Sequence, residues 1–329
     1  MGFIKFITAF LFLFAIVGSF ANTKLETKLD KTLVRFISKD KKYTYYQKST
    51  GALFLSTNYS VKKVIQGESG SQFGVNSFID TDKLIVTQVN NFNSILNPTK
   101  ISSFYIINRT TGEVLLKKEG LRPRLHQNGT WLSFFDRANK KIHFENTVNK
   151  KNNFTILLDK ETPNFFIPKV VYNNGSFFYV AYLKKLQVLY KRSIKNSSLA
   201  IIYQAESSKY IFDICSLAGK RLVLFQSALS RGIRKMLLLK ESPKKYEFMT
   251  LYRNISSDIG NILCSENNVF FVKEVGGGSE LAEINVTNLK VSILSKLNFV
   301  QNIIQMDGKI LIPLRGEFYL PDFNIASEK

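Results

Sequence analysis

The chain is poor in the residues that most chemistry needs. Its 329 residues include two histidines, two cysteines and one tryptophan, and 25 acids stand against 46 lysines and arginines. A metal site draws on clustered His, Cys or carboxylates. His126 and His143 fall on different strand-like runs, with Glu145 the one acid close by, so no metal ligand set and no cofactor is expected. The acids are scattered and offer no carboxylate pair of the kind a glycosidase uses. There is no Gly-x-Ser-x-Gly elbow. Gly276-Gly277-Gly278 lies between two strand-like runs, whereas a phosphate cradle needs a following helix. With seven prolines and no low-complexity stretch, no internal domain boundary is expected.

Long apolar runs are also lacking, except at the start. Lys5, the uncharged stretch from Ile7 to Val17 and then Ser19-Phe20-Ala21 have the three parts of a secretory signal, with cleavage expected before Asn22. The run is short of the ~20 residues that span a bilayer. Residues 1–21 are therefore expected to be removed, residues 22–329 to form one domain without a membrane span, and the product to be exported to a periplasm or secreted.

What the chain has in abundance is aromatic and cationic. Phe numbers 28 and Tyr 14, a bias toward strands, and the net charge is +21. An all-β class follows, and a repeat sharpens it. Tyr43, Leu84, Trp131, Phe177, Leu222, Val269 and Ile310 open equivalent apolar strands, at steps of 41, 47, 46, 45, 47 and 41 residues. Tight-turn residues precede several of them, among them Asn128-Gly129, Asn174-Gly175, Glu266-Asn267 and Asp307-Gly308. A period of roughly 40–50 residues is that of four-stranded propeller blades. The reading is a single β-propeller of seven antiparallel blades, with six as the alternative. The third blade is expected as Pro123–Gln127, Trp131–Asp136, Lys141–Asn146 and Asn153–Leu158. The last unit is short, and residues 22–30 are expected to supply its outer strand.

The run Leu121-Arg122-Pro123-Arg124-Leu125-His126-Gln127-Asn128-Gly129-Thr130-Trp131-Leu132-Ser133-Phe134-Phe135 resembles the blade motif of TolB-type and WD-type propellers. Gln127-Asn128-Gly129 stands where that motif has Pro-Asp-Gly. The resemblance covers about one blade. It implies the propeller fold and, by analogy, periplasmic protein–protein binding.

Candidate site residues follow from charge and position. Between Lys184 and Lys245 lie 14 Lys or Arg and three acids. Lys184, Lys185, Lys191, Arg192, Arg231, Arg234 and Lys235 are expected near strand ends, as a basic patch for an acidic protein or an anionic envelope polymer. Nucleic acid is disfavoured, because the aromatics are expected in the core and not on a groove. Arg122, Arg124 and His126 are expected to line the central channel. Cys215 and Cys264 occupy similar places in consecutive units; they form either a disulfide or two buried thiols, since neighbouring inner strands can stand too far apart to bridge. Eight Asn-x-Ser/Thr sequons fit an Asn-rich chain as readily as glycan sites. Together these features point to a monomeric, non-catalytic binding or scaffold module. A propeller hydrolase or lyase with a site in the central channel is the alternative.

Overall fold

The computed structural model describes residues 32–37, 42–48, 51–67, 71–77, 82–90, 103–217, 221–228, 234–241, 246–254, 259–275, 278–297, 304–306, 309–314 and 317–319. Within them the apolar runs form strands that pair only with their neighbours in sequence. The first sheet holds β1 (Thr32–Ile37), β2 (Tyr43–Lys48), β3 (Ala52–Thr57) and β4 (Val61–Gln66). The second holds β5 (Ser71–Ser77), β6 (Lys83–Asn90), β7 (Ser103–Asn108) and β8 (Val114–Glu119). The third holds β9 (Leu121–His126), β10 (Trp131–Asp136), β11 (Lys141–Asn146) and β12 (Phe154–Leu157). The fourth holds β13 (Val170–Asn173), β14 (Ser176–Leu183), β15 (Leu186–Ser193) and β16 (Leu199–Gln204). The fifth holds β17 (Tyr210–Leu217), β18 (Arg221–Ala228), β19 (Arg234–Glu241) and β20 (Tyr246–Asn254). The sixth holds β21 (Ile259–Ser265), β22 (Asn268–Val275), β23 (Gly278–Asn285) and β24 (Val291–Leu297). The last has three described strands, β25 (Ile304–Met306), β26 (Lys309–Leu314) and β27 (Glu317–Tyr319).

First strands meet first strands between sheets: β1 lies on β5, β9 on β13, β13 on β17 and β17 on β21. This is the radial order of a β-propeller, with first strands innermost. Burial follows it. The second strands β10 and β14 are almost wholly buried, since sheets cover both their faces, while the outer strands β8, β12 and β16 alternate with solvent. β25 of the last sheet approaches β5 of the second. Among the described residues there are thus six four-stranded blades and a seventh sheet of three. The signal-like segment and the closing strand expected within residues 22–30 lie outside the described residues.

The turns obey the residue chemistry. Asn173 pairs with Ser176, leaving Asn174 and Gly175 as a two-residue loop at φ 45° and 71°. Both central residues at positive φ define the hairpin turn whose twist matches the strands, and Asn-Gly meets it at least strain. Cores form between blades. Phe177 on β14 is fully buried, with its ring 4.6 Å from Phe144 and 5.3 Å from Trp131 of the preceding blade. Emptying such a site costs about 3–5 kcal/mol, so each blade depends on the next.

Candidate functional site

The meander fixes which side chains share an end of the ring. Each inner strand begins at the end where its blade's second and third strands turn. Leu121 at the start of β9 pairs with Phe135, beside the β10–β11 turn. In the fourth blade that end carries the β14–β15 turn, whose two residues are Lys184 and Lys185. Both are exposed, and both have left-handed backbone, at φ 48° and 65°. A side chain in that region costs about 1–2 kcal/mol. The turn type favours Asn-Gly, yet here it holds two adjacent cations. In the fifth blade Arg234 and Lys235 open β19 at the same end, half-buried. Lys235 lies 3.8 Å from Glu206, over the ring of Tyr203 at 5.9 Å.

The basic patch expected from the sequence is not one surface. Lys191 and Arg192 lie on β15 opposite Phe178 and Phe177, next to the β13–β14 turn. Six residues of strand separate that level from Leu183, about 20 Å at 3.3 Å per residue. There the two cations cover aromatic rings: Lys191 over Phe178 and Tyr246, Arg192 over Phe154. Their charges are spent on the blade seams. Sequence proximity joined them to Lys184 and Lys185; strand direction separates them. Arg231 lies outside the described residues.

A second group stands at the axis. Arg122 and Arg124 project from β9, Lys169 immediately precedes β13, and Asp213 lies on β17. Lys169 Nζ contacts Asp213 Oδ1 at 2.6 Å, and the same oxygen accepts from the backbone N–H of Ile214 at 2.8 Å. Arg122 donates from Nη1 to the carbonyl of Ile167 at 2.9 Å. Its φ of 47° is again left-handed. Burial lowers the Arg124 guanidinium from its ordinary value, while the Asp213 charge raises it and Arg122 lowers it further. Lys169 is shifted the same way, lowered by burial and partly restored by Asp213. Arg122 is exposed, and desolvation lowers its guanidinium while the Asp213 charge raises it. Lys169 and Asp213 carry no signal in the sequence, because they come from different blades and meet only at the axis.

His126 does not join this group. It is 6% exposed, its Nε2 is 2.7 Å from the Ser133 hydroxyl, and its ring lies edge-on to Phe177 at 5.4 Å. The inner strand turns this side chain into the seam between blades, so it is a core residue and not a channel one. His143 stacks on Phe134 at 4.8 Å. Among the described residues no group of three or more His, Cys, Asp or Glu could hold a metal. Cys215 on β17 and Cys264 on β21 are joined in a disulfide with Cα atoms 5.6 Å apart. The reason for doubting such a bond, that adjacent inner strands stand too far apart, does not hold here.

No protein-family model matches the chain, and no curated protein sequence matches it. Solved structures do. Prolyl endopeptidase is similar at a TM-score of 0.61 and 9% identity, over 88% of this chain and 49% of that one, so the chain spans about half that protein's length. The β-propeller domain of Cps50 (Swd1) from Myceliophteria thermophila is similar at 0.52 and 11% identity, over 86% and 92% of the two chains. TolB from Acinetobacter baumannii gives 0.48 and 14% identity, over 85% and 64%. At such identities likeness extends to the fold alone. The resemblance of Leu121–Phe135 to propeller blade motifs therefore holds at that level: the chain folds as a β-propeller.

Proposed function

We propose that this protein is an exported, non-catalytic propeller that binds an acidic protein or anionic envelope polymer through the end of the ring bearing Lys184 and Lys185. The observation that carries the reading is the β14–β15 turn. Two exposed lysines occupy a backbone conformation that penalises both, at a position where Asn-Gly would be relaxed. Strain held at an exposed site is accounted for if the charges there have work to do. The excess of 46 basic over 25 acidic residues supports it, whereas Lys235 at the neighbouring hairpin is already held by Glu206 and Tyr203. The signal-like first 21 residues and the Cys215–Cys264 bond favour an oxidising compartment outside the cytoplasm. No helix of the described residues is long and apolar enough to cross a membrane.

The test is a Lys184→Asn, Lys185→Gly double variant. It should raise stability by about 1 kcal/mol, through relief of the left-handed lysines, and weaken capture by immobilised polyglutamate at the same time. Stability is read from urea unfolding and capture from a pull-down. Capture equal to that of the unaltered protein would remove the turn from the binding surface.

A further inference from the structure

We infer that Arg122, Arg124 and Lys169 form a distinct anion site at the axis of the ring, and that its ligand is a carboxylate. The site goes beyond the lysine turn; it shares with the proposed function only the class of ligand.

Lys169 contacts Asp213, Arg122 is anchored to the Ile167 carbonyl two residues before Lys169, and Arg124 stands two positions along the same strand as Arg122, so three cations gather about one carboxylate with an excess of two positive charges. Excess charge partly removed from water is unfavourable unless an anion pairs with it. Asp213 neutralises Lys169, which it contacts at 2.6 Å, and does not hydrogen-bond to the arginines among the described residues. Arg122 donates to the Ile167 carbonyl, a neutral partner that leaves its charge uncompensated. The Arg124 side chain has no hydrogen bond or ion pair to a described residue, although Asp213 and Arg122 both act on it electrostatically. A guanidinium presents paired N–H donors in one plane, the geometry that a carboxylate accepts in bidentate fashion. Asp213 shows that the cluster already takes one carboxylate from within the chain. A second, from a ligand, would use the donors that Asp213 leaves.

The group is also held for such a role. Arg122 and Arg124 stand on an inner strand tied on one side to β10, Lys169 is locked through its backbone carbonyl, which accepts from Val180 N–H at 3.4 Å, and Asp213 is fixed by Ile214. Left-handed backbone coincides with a cation at this end of the ring at Arg122 as well as at Lys140, Lys184 and Lys185.

Calorimetric titration of the full chain at low ionic strength tests this, with tetraglutamate and succinate as probes. Arg124→Gln should weaken binding by about tenfold to a hundredfold, the worth of a charge-assisted hydrogen bond. Asp213→Asn should strengthen it, because the competing charge goes while the amide oxygen still accepts from Lys169. A folded Arg124→Gln protein with unchanged affinity overturns the site. Should that variant not fold, unchanged or weaker binding by Asp213→Asn overturns it instead. Binding of both probes identifies a site for free small acids; binding of tetraglutamate alone identifies an acidic chain segment. The Lys184→Asn, Lys185→Gly protein separates the two readings. If it loses tetraglutamate while Arg124→Gln keeps it, the axial site fails and the turn stands; the reverse pattern removes the turn and keeps the axis.

Discussion

At the scale of single residues, burial decides whether a polar side chain acts or merely fits. His126 and Arg124 are two positions apart on β9, but one is sealed against Phe177 and Ser133 while the other stays partly open beside Asp213. Desolvation first, and the Arg124 charge second, hold the His126 imidazole well below its usual value of 6.5. The folded protein therefore keeps it neutral as pH falls, while the unfolded chain takes up a proton with ordinary affinity. Stability is unaffected above pH 6.5 and declines below it, by up to about 1.4 kcal/mol per pH unit for one proton. Urea unfolding at pH 7 and pH 5 should show that loss, and His126→Gln, which keeps a partner for Ser133 without titrating, should show less of it. Equal losses in the two proteins would place the acid sensitivity elsewhere.

At the scale of strands and blades, stability comes from what crosses between sheets. The Gln187 side chain of β15 accepts from the Phe212 N–H of β17 at 2.6 Å, and Gln47 of β2 likewise accepts from the Phe73 N–H of β5 at 3.0 Å. Each satisfies a backbone donor of the next inner strand, a group that is expensive to bury unpaired. Asn173 donates to the Arg221 carbonyl at 2.9 Å, and Arg221 donates in turn to Asn267, so the turns of three successive blades are linked. The Cys215–Cys264 bond joins the inner strands of the fifth and sixth blades. A disulfide closing 49 residues typically contributes about 2–4 kcal/mol. Replacing both cysteines with serine should lower the urea midpoint accordingly, and dithiothreitol should lower that of the unaltered protein to a similar level; insensitivity to reductant would mean that the bond does not form. Blades were legible in the sequence because period and turn chemistry are local. Trp131–Asp136 and Lys141–Asn146 come out as read, while the inner strand Leu121–His126 begins two residues before the expected Pro123–Gln127, because Leu121 pairs with Phe135. The site was legible only in part. Arg122 and Arg124 could be placed on an inner strand from the repeat alone. Pairing with Lys169 and Asp213, the turning-in of His126 and the division of the basic patch all depend on which blades meet and which way each strand runs.

At the scale of the whole molecule, the charge acts on folding and on association with opposite signs. A net charge of +21 repels itself in the compact state and attracts polyanions from a distance. Pairs such as Lys118 with Glu145 are already counted in that figure, while lysines lying over rings hold part of the excess against the blade seams. The remainder is long-ranged at low salt, where the screening length is about 30 Å at 0.01 M, and short-ranged at 0.15 M, where it is about 8 Å. Raising sodium chloride across that interval should therefore raise the melting temperature, as self-repulsion is screened, and slow association with polyglutamate, as steering is lost. Dissociation should change less, because contacts at the lysine turn and the axis are within the screening length at both concentrations. Melting curves and surface-captured association kinetics on the same preparation measure the two effects. A melting temperature that falls with salt would mean that internal ion pairs outweigh self-repulsion, and the cationic excess could then no longer be read as charge held in reserve for a partner.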